Sequence, residues 1–275
     1  MMKKYVQAPL PFVGQKRMFA AQFIKILPQF EDKTIFVDLF GGSGFLSHTA
    51  KTHRPDAKVV YNDYDNYRER LANIPRTNAL LADLRKIVGG WEHKARITGA
   101  VRDAIIEHIE RADREGFVDY ITLSASILFS AKTVTNLDDL KKQGLYNRIR
   151  QSDYTAEEYL VGVEIVACDY KELFERYKDM PNVVFLVDPP YLKTEVGSYT
   201  MSWKLADYLD VLTVLKDSAY IYFTSNKSDI IELCEWIGEN KVTENPFRDA
   251  SKVEFKASVN YNSRYMDIML YKQSA

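Results

Sequence analysis

The sequence predicts an α/β fold: a doubly wound sheet carrying a mainly helical insertion. Three observations predict it. The apolar, β-branched run at 34–39 is broken by Phe40-Gly41-Gly42-Ser43-Gly44, and a helix and a second strand ending in Asn62-Asp63 follow, a βαβ pattern. Residues 78–160 then show helical periodicity without a convincing strand. Beyond 160, strands and helices alternate again.

Taken in order, Pro9 to Lys16 reads as a loop. Met18, Phe19, Phe23, Ile26 and Leu27 have the spacing of a helix that stops at Pro28. Strands follow at 34–39 and 58–61, with a helix from Phe45 to Lys51 between them and another over 64–73. Inside the insertion, helical stretches fall near 80–88, 101–114 and 120–131, and 133–144 reads as a polar loop. A strand at 163–166 ends near Asp169, and a helix starts at Tyr170. The run 183–187 is apolar throughout, as a strand buried on both faces would be. A helix over 203–216, a strand over 219–223 and a helix over 228–237 continue the alternation. The runs 253–259 and 266–271 form a hairpin joined by Asn260-Tyr261-Asn262-Ser263-Arg264, which gives the sheet an antiparallel edge. The expected division is 1–77 with 161–275 for the sheet domain and 78–160 for the insertion.

Composition narrows the function classes. The chain has 275 residues, 46% hydrophobic and 27% charged, so it can bury a sizeable core and is not disordered. It lacks an 18-residue apolar run and an N-terminal signal pattern, so no membrane partner is expected. Cys168 and Cys234 lack metal-like spacing, and His48 and His53 read as exposed helix histidines, so no metal is expected and a reducing, cytoplasmic setting fits. The net charge of −1 advertises no polyanion partner, but basic residues cluster at 1–33, 85–102 and 132–151.

The chemistry concentrates in two motifs. Asp188-Pro189-Pro190-Tyr191 directly follows the strand at 183–187. The Asp188 carboxylate and the Pro189 carbonyl can accept both hydrogens of an exocyclic amine, and Tyr191 can lie against a flat ring; the four-residue word occurs by chance in roughly one chain per thousand of this length. The glycine loop after the first strand lets a ligand approach the backbone, and the helix N-terminus behind it favours an anionic group. Asp63 ends the second strand, where a doubly wound sheet places the carboxylate that grips ribose hydroxyls. The loop is not G-x-G-x-x-G, so a nucleoside with an amino-acid tail suits it better than a dinucleotide.

Phe12-Val13-Gly14-Gln15-Lys16, Asp38-Leu39-Phe40-Gly41-Gly42-Ser43-Gly44, Asn62-Asp63 and Asp188-Pro189-Pro190-Tyr191, in this order, resemble the S-adenosylmethionine-dependent DNA adenine-N6 methyltransferases of the Dam-like, D12 class. The resemblance covers most of 9–75 and 160–226. It implies a Rossmann-like methyltransferase sheet, S-adenosylmethionine as cofactor and double-stranded DNA as partner. It implies further that Lys16 faces the methionine carboxylate and Phe12, where the family usually has Trp, packs on the cofactor. Gly41, Gly42 and Gly44 line the methionine moiety with the Phe40 backbone, and Asp38 and Asp188 border the same site. Asp63 holds the ribose, and Asp169 meets the cofactor adenine, although a helix N-cap explains Asp169 equally well. Asp188, Pro189, Pro190 and Tyr191 are then the catalytic loop, acting on an adenine flipped out of the duplex. Gly144-Leu145-Tyr146-Asn147-Arg148 loosely resembles the family's target-facing loop, so the insertion becomes the target-recognition region. Lys132, Lys141, Lys142, Tyr146, Asn147, Arg148 and Arg150 are its DNA-binding candidates. A cognate restriction nuclease is a partner where the enzyme belongs to a restriction–modification system. The rival readings are the same chemistry on RNA adenine or DNA cytosine N4, and a non-catalytic nucleic-acid-binding subunit.

Overall fold

The computed structural model describes residues 3–129, 132–190, 204–226, 228–260 and 263–273, with backbone alone over 256–260 and 263–265. In chain order the helices and strands are α1 (Ala20–Ile26), β1 (Ile35–Asp38), α2 (Phe45–His53), β2 (Lys58–Asn62), α3 (Tyr67–Ala72), α4 (Ile74–Val88), β3 (Arg96–Ile97), α5 (Gly99–Arg114), α6 (Tyr120–Ile127), α7 (Leu137–Lys141), β4 (Leu145–Tyr146), β5 (Glu164–Val166), α8 (Tyr170–Tyr177), β6 (Val183–Val187), α9 (Leu205–Leu215), β7 (Ala219–Ser225), α10 (Ile230–Glu239), β8 (Ser251–Asn260) and β9 (Ser263–Lys272). They fall into two units. One comprises Met1–Gln7, Gly14–Asp65 and Glu158–Ala275; the other comprises Ala8–Val13 and Asn66–Glu157.

The first unit is the doubly wound sheet, in the order β5-β2-β1-β6-β7-β9-β8. β5 through β7 run parallel, and β9 and β8 are antiparallel. Strand alternation sorts its core into two layers. Val37, Val183, Phe185, Val187, Tyr220, Tyr222 and Ile268 face one way and pack with Leu173 of α8, Val211 of α9 and Cys234 of α10. Phe36, Val184, Leu186, Ile221, Phe223 and Met269 face the other way, toward Phe23 of α1 and Leu46 and Ala50 of α2. Chain order reverses between β1 and β6, the switch point at which open α/β sheets hold ligands beyond their carboxyl ends.

The second unit has its own apolar core, from Leu84 of α4 and Ile105 and Ile109 of α5 to Leu123 of α6 and Leu140 of α7. Its polar anchor is Arg70. The guanidinium Nε lies 3.1 Å from each Asp119 carboxylate oxygen, and Nη2 donates to the Pro11 carbonyl at 2.8 Å. Asp119 also caps α6, accepting from the Thr122 N–H at 3.0 Å. Tyr67 accepts from the Leu10 N–H at 3.0 Å, so residues 8–13 are tied to this unit.

Several elements depart from expectation. The helix expected near 80 begins at Ile74, because Pro75 sits in the first turn, where a missing N–H costs nothing. The expected loop over 133–144 contains α7, which Asn136 caps by accepting from the Asp139 N–H at 2.8 Å. The insertion also holds the antiparallel pair β3–β4, whose two-residue strands are too short to show periodicity. His48 is buried rather than exposed, because nearly every face of α2 is covered; its ring stacks on Tyr159 with centroids 4.7 Å apart, and burial lowers its pKa.

Candidate active site

The glycine loop is shaped by the strand beside it. Gly42 and Gly44 adopt φ of 50° and 70°, a region open to glycine at little cost. The Gly44 N–H closes the turn on the Gly41 carbonyl at 2.7 Å, and the Gly44 carbonyl accepts the His48 N–H as α2 begins. Gly41 is required by proximity: a Cβ there would stand 2.2 Å from the Tyr61 ring and 2.6 Å from the Asn62 carbonyl.

Tyr61 joins the loop to the acid at the end of β2. Its hydroxyl lies 2.7 Å from the Gly42 carbonyl and 2.9 Å from Asp63 Oδ1. Burial, reinforced by the Asp63 charge, raises its pKa and keeps the phenol protonated. Asp63 is itself buried, and its N–H bonds the Val166 carbonyl at 2.8 Å. Asn62 locks the neighbouring strand ends: its side-chain amide donates to the Leu39 carbonyl at 3.0 Å and the Cys168 carbonyl at 2.9 Å, and accepts from the Cys168 N–H.

Asp188 stands one residue beyond β6 with its Oδ2 2.7 Å from Lys16 Nζ. Lys16 also donates to the Gly14 carbonyl at 2.9 Å. Among the described residues, the other carboxylate oxygen, Asp188 Oδ1, is buried without a hydrogen-bond partner, and so are Asp38 Oδ1 and Thr224 Oγ1. Buried polar atoms are ordinarily satisfied, so three orphans at the carboxyl ends of β1, β6 and β7 mark a place for a ligand. Asp38 Oδ2 accepts from Ser47 of α2 at 2.7 Å. Burial pushes the Asp38 carboxyl up to about 7; the Asp188 charge adds to the rise, and the Ser47 hydroxyl, the Phe40 N–H and Lys16 oppose it. Burial likewise raises Asp188 and Asp267, and in both Lys16 opposes the rise.

The other expected site residues are placed as follows. Asp169 is exposed and caps α8, accepting from the Lys171 N–H at 2.8 Å. The Phe40 ring packs on Tyr170, centroids 4.8 Å apart. Phe12 belongs to the second unit, edge-on to Tyr67 at 5.7 Å. Pro189 is buried, Pro190 is half-buried, and Tyr191 lies outside the described residues. In the second unit, Lys132 donates to Gln143, Lys141 pairs with Glu110 at 3.2 Å, and Lys142 pairs with Asp139 at 2.8 Å. Tyr146 lies in β4 with its ring 5.4 Å from exposed Phe129. The Asn147 amide donates to the Trp91 carbonyl, Arg148 donates to the Leu128 carbonyl, and Arg150 lies 4.1 Å over the Tyr154 ring. Tyr61, Thr224 and Asp267 were not expected; only strand register brings them to the site. Among the described residues no helix is long and apolar enough to cross a membrane, and no His, Cys, Asp and Glu cluster could hold a metal.

Comparison with known proteins places these residues in a family context. A sequence model of the D12 class of N6 adenine-specific DNA methyltransferases matches residues 12–260. A Haemophilus influenzae Rd protein provisionally described as a methyltransferase is 38% identical over 98% of this chain and 93% of its own length. Two solved structures align at 10% identity: an rRNA methylase from Streptococcus thermophilus (96% of this chain and 100% of that one, TM-score 0.37) and a precorrin-6y C5,15-methyltransferase from Geobacter metallireducens (99% and 100%, TM-score 0.36). Those two likenesses are too slight to support an argument.

Proposed function

This chain belongs to the D12 class of N6 adenine-specific DNA methyltransferases, and on that premise we propose that it transfers a methyl group from S-adenosylmethionine to the N6 amine of an adenine flipped out of double-stranded DNA. The observation that carries the reading is the divided carboxylate of Asp188: one oxygen is held by Lys16, and the other is buried with nothing to accept among the described residues.

The residues fit the cofactor. The orphaned Asp38 oxygen and the glycine turn line the end of β1, and Asp63, held by Tyr61, offers a carboxylate for ribose hydroxyls. When bound, S-adenosylmethionine supplies an electrophilic methyl group on a cationic sulfur. The chain's own residues do the rest. Lys16 fixes the Asp188 carboxylate and opposes its desolvation, so that Oδ1 can accept a hydrogen of the amine. The Pro189 carbonyl accepts the second. These bonds tighten as the nitrogen becomes tetrahedral and its protons more acidic, so they stabilise the transition state more than the ground state. Alignment of the nitrogen lone pair with the methyl group supplies much of the rate. Tyr191 stacks on the extruded base, and the second unit, with its lysines and the Phe129–Tyr146 pair, reads the duplex.

The test is methyl transfer from labelled S-adenosylmethionine to unmethylated double-stranded DNA, with the product digested to nucleosides. Label in N6-methyladenosine is the expected result. Label in N4-methylcytosine, or transfer to RNA alone, would replace the substrate assignment.

A further inference from the structure

Strand parity places a third acid in this site that no motif announces. On the sheet face covered by α1 and α2, Phe36 and Asp38 share β1, and Leu186 precedes Asp188 by two at the end of β6. Phe223 and Ser225 share that face of β7, and Asp267 pairs with Ser225 from β9. Since the order is β1-β6-β7-β9, Asp38, Asp188 and Asp267 form a row along one sheet edge. Lys16 acts on all three, and Asp188 acts on Asp38 and is acted on by Asp267. Among the described residues, the other titratable neighbour is Tyr61 on β2, itself bound to Asp63, and Ser47 and the Phe40 N–H are the further polar neighbours of Asp38.

With all three carboxylates ionised, the one ammonium among the described residues leaves two negative charges in excess, in a place where Asp38 is buried and Asp188 and Asp267 are partly so. Charge of that kind is relieved by a proton or by a cation. Among the described residues, Oδ1 of Asp38 and Oδ1 of Asp188 have no partner, so the row has acceptors to offer one. Resting on the methyl-transfer reading above, we infer that Asp38, Asp188 and Asp267 with Lys16 form a proton store, which gives up a proton when the cationic cofactor binds and recovers one from the methylated amine.

The step balances. The acceptor nitrogen bonds the methyl carbon as the sulfur–carbon bond breaks, with its electron pair left on sulfur. The nitrogen then releases a proton, keeping the N–H electron pair, and Asp188 Oδ1 receives it. The positive charge lost at sulfur is thereby replaced by a proton in the row, and the total charge of the site is unchanged.

Isothermal titration of the full chain, in buffers of different ionisation heat, counts the protons. With Asp38 at about 7, S-adenosylmethionine should release about half a proton per molecule at pH 7 and about nine-tenths at pH 6. S-adenosylhomocysteine, which lacks the sulfonium charge, should release almost none. Asp38→Asn should lose most of the release while still binding the thioether, with circular dichroism to confirm folding. Asp267→Asn, at the far end of the row, should release fewer protons than the native chain. Binding of both ligands with equal release, or unchanged release in both variants, would overturn the proton store and leave the methyltransferase reading standing. Binding of neither would sink both.

Discussion

Replacing Asp38 with Asn should stabilise the ligand-free protein, and by an amount that grows with pH. The Asp38 carboxyl is fully buried and titrates near 7, against an ordinary value of 3.8 that it regains on unfolding. Below pH 4 both states carry the proton and the residue costs nothing. Between 4 and 7 the folded state keeps a proton that the unfolded state has lost, so stability falls as pH rises. At about 1.4 kcal/mol for each pH interval, the loss reaches about 4 kcal/mol by pH 8. Asparagine has no such titration and keeps an oxygen for the Ser47 hydroxyl. The difference in unfolding free energy between Asp38→Asn and the native chain should therefore rise by about 4 kcal/mol from pH 4 to pH 8. Asp188 and Asp267 titrate in both proteins and largely cancel in the difference. Urea unfolding at intervals across that range measures it. A difference that stays flat would refute the claim that Asp38 carries a desolvated charge.

Other perturbations address other parts of the chain. Asp188→Asn keeps the shape of the loop but removes the charge proposed to accept the amine hydrogen; turnover should fall at least about 100-fold while thioether binding changes little, as initial rates and titration would show. Gly41→Ala drives a methyl group into the Tyr61 ring and should destabilise by about 1–3 kcal/mol; an unchanged melting temperature would mean that the ring moves freely. Asp119→Ala strands the buried Arg70 guanidinium and should cost about 3–5 kcal/mol in denaturant unfolding, and Arg70→Met with Asp119→Leu should recover much of that loss.

What could be read from the sequence was what local chemistry dictates. The glycine turn, the strand at 183–187 and the acid that follows it are each set by neighbours in the chain, and each lies where expected. Asp63 was legible for the same reason, because it ends a strand. Tyr61 was not: in sequence it is one more apolar residue of β2, and its role depends on Gly41 leaving room for its ring. The α7 cap shows a signal that was present but outweighed, since Asn136 followed by Asp138 and Asp139 is a helix start hidden in a polar stretch. The buried His48 reflects a helix enclosed on nearly every face, which periodicity along α2 could not reveal. Asp267 is the hardest case: nothing near it suggests chemistry, and only the pairing of β9 with β7 sets it opposite Ser225.

That pairing also explains why the site tolerates its own electrostatics. A parallel sheet buried on both faces offers few places for a charge, and a side chain just inside a strand's carboxyl end is held there by the register of its neighbours. Asp38 cannot swing toward water without breaking its bond to Ser47. The two apolar layers above and below the sheet hold the row in place and so absorb the cost of its unsatisfied charge. A preformed excess of negative charge is useful only where the ligand brings a positive one, and only if water cannot neutralise the row first. On the proposed function, the feature that weakens the ligand-free fold is therefore the one that would favour a cationic methyl donor over the neutral thioether left after transfer.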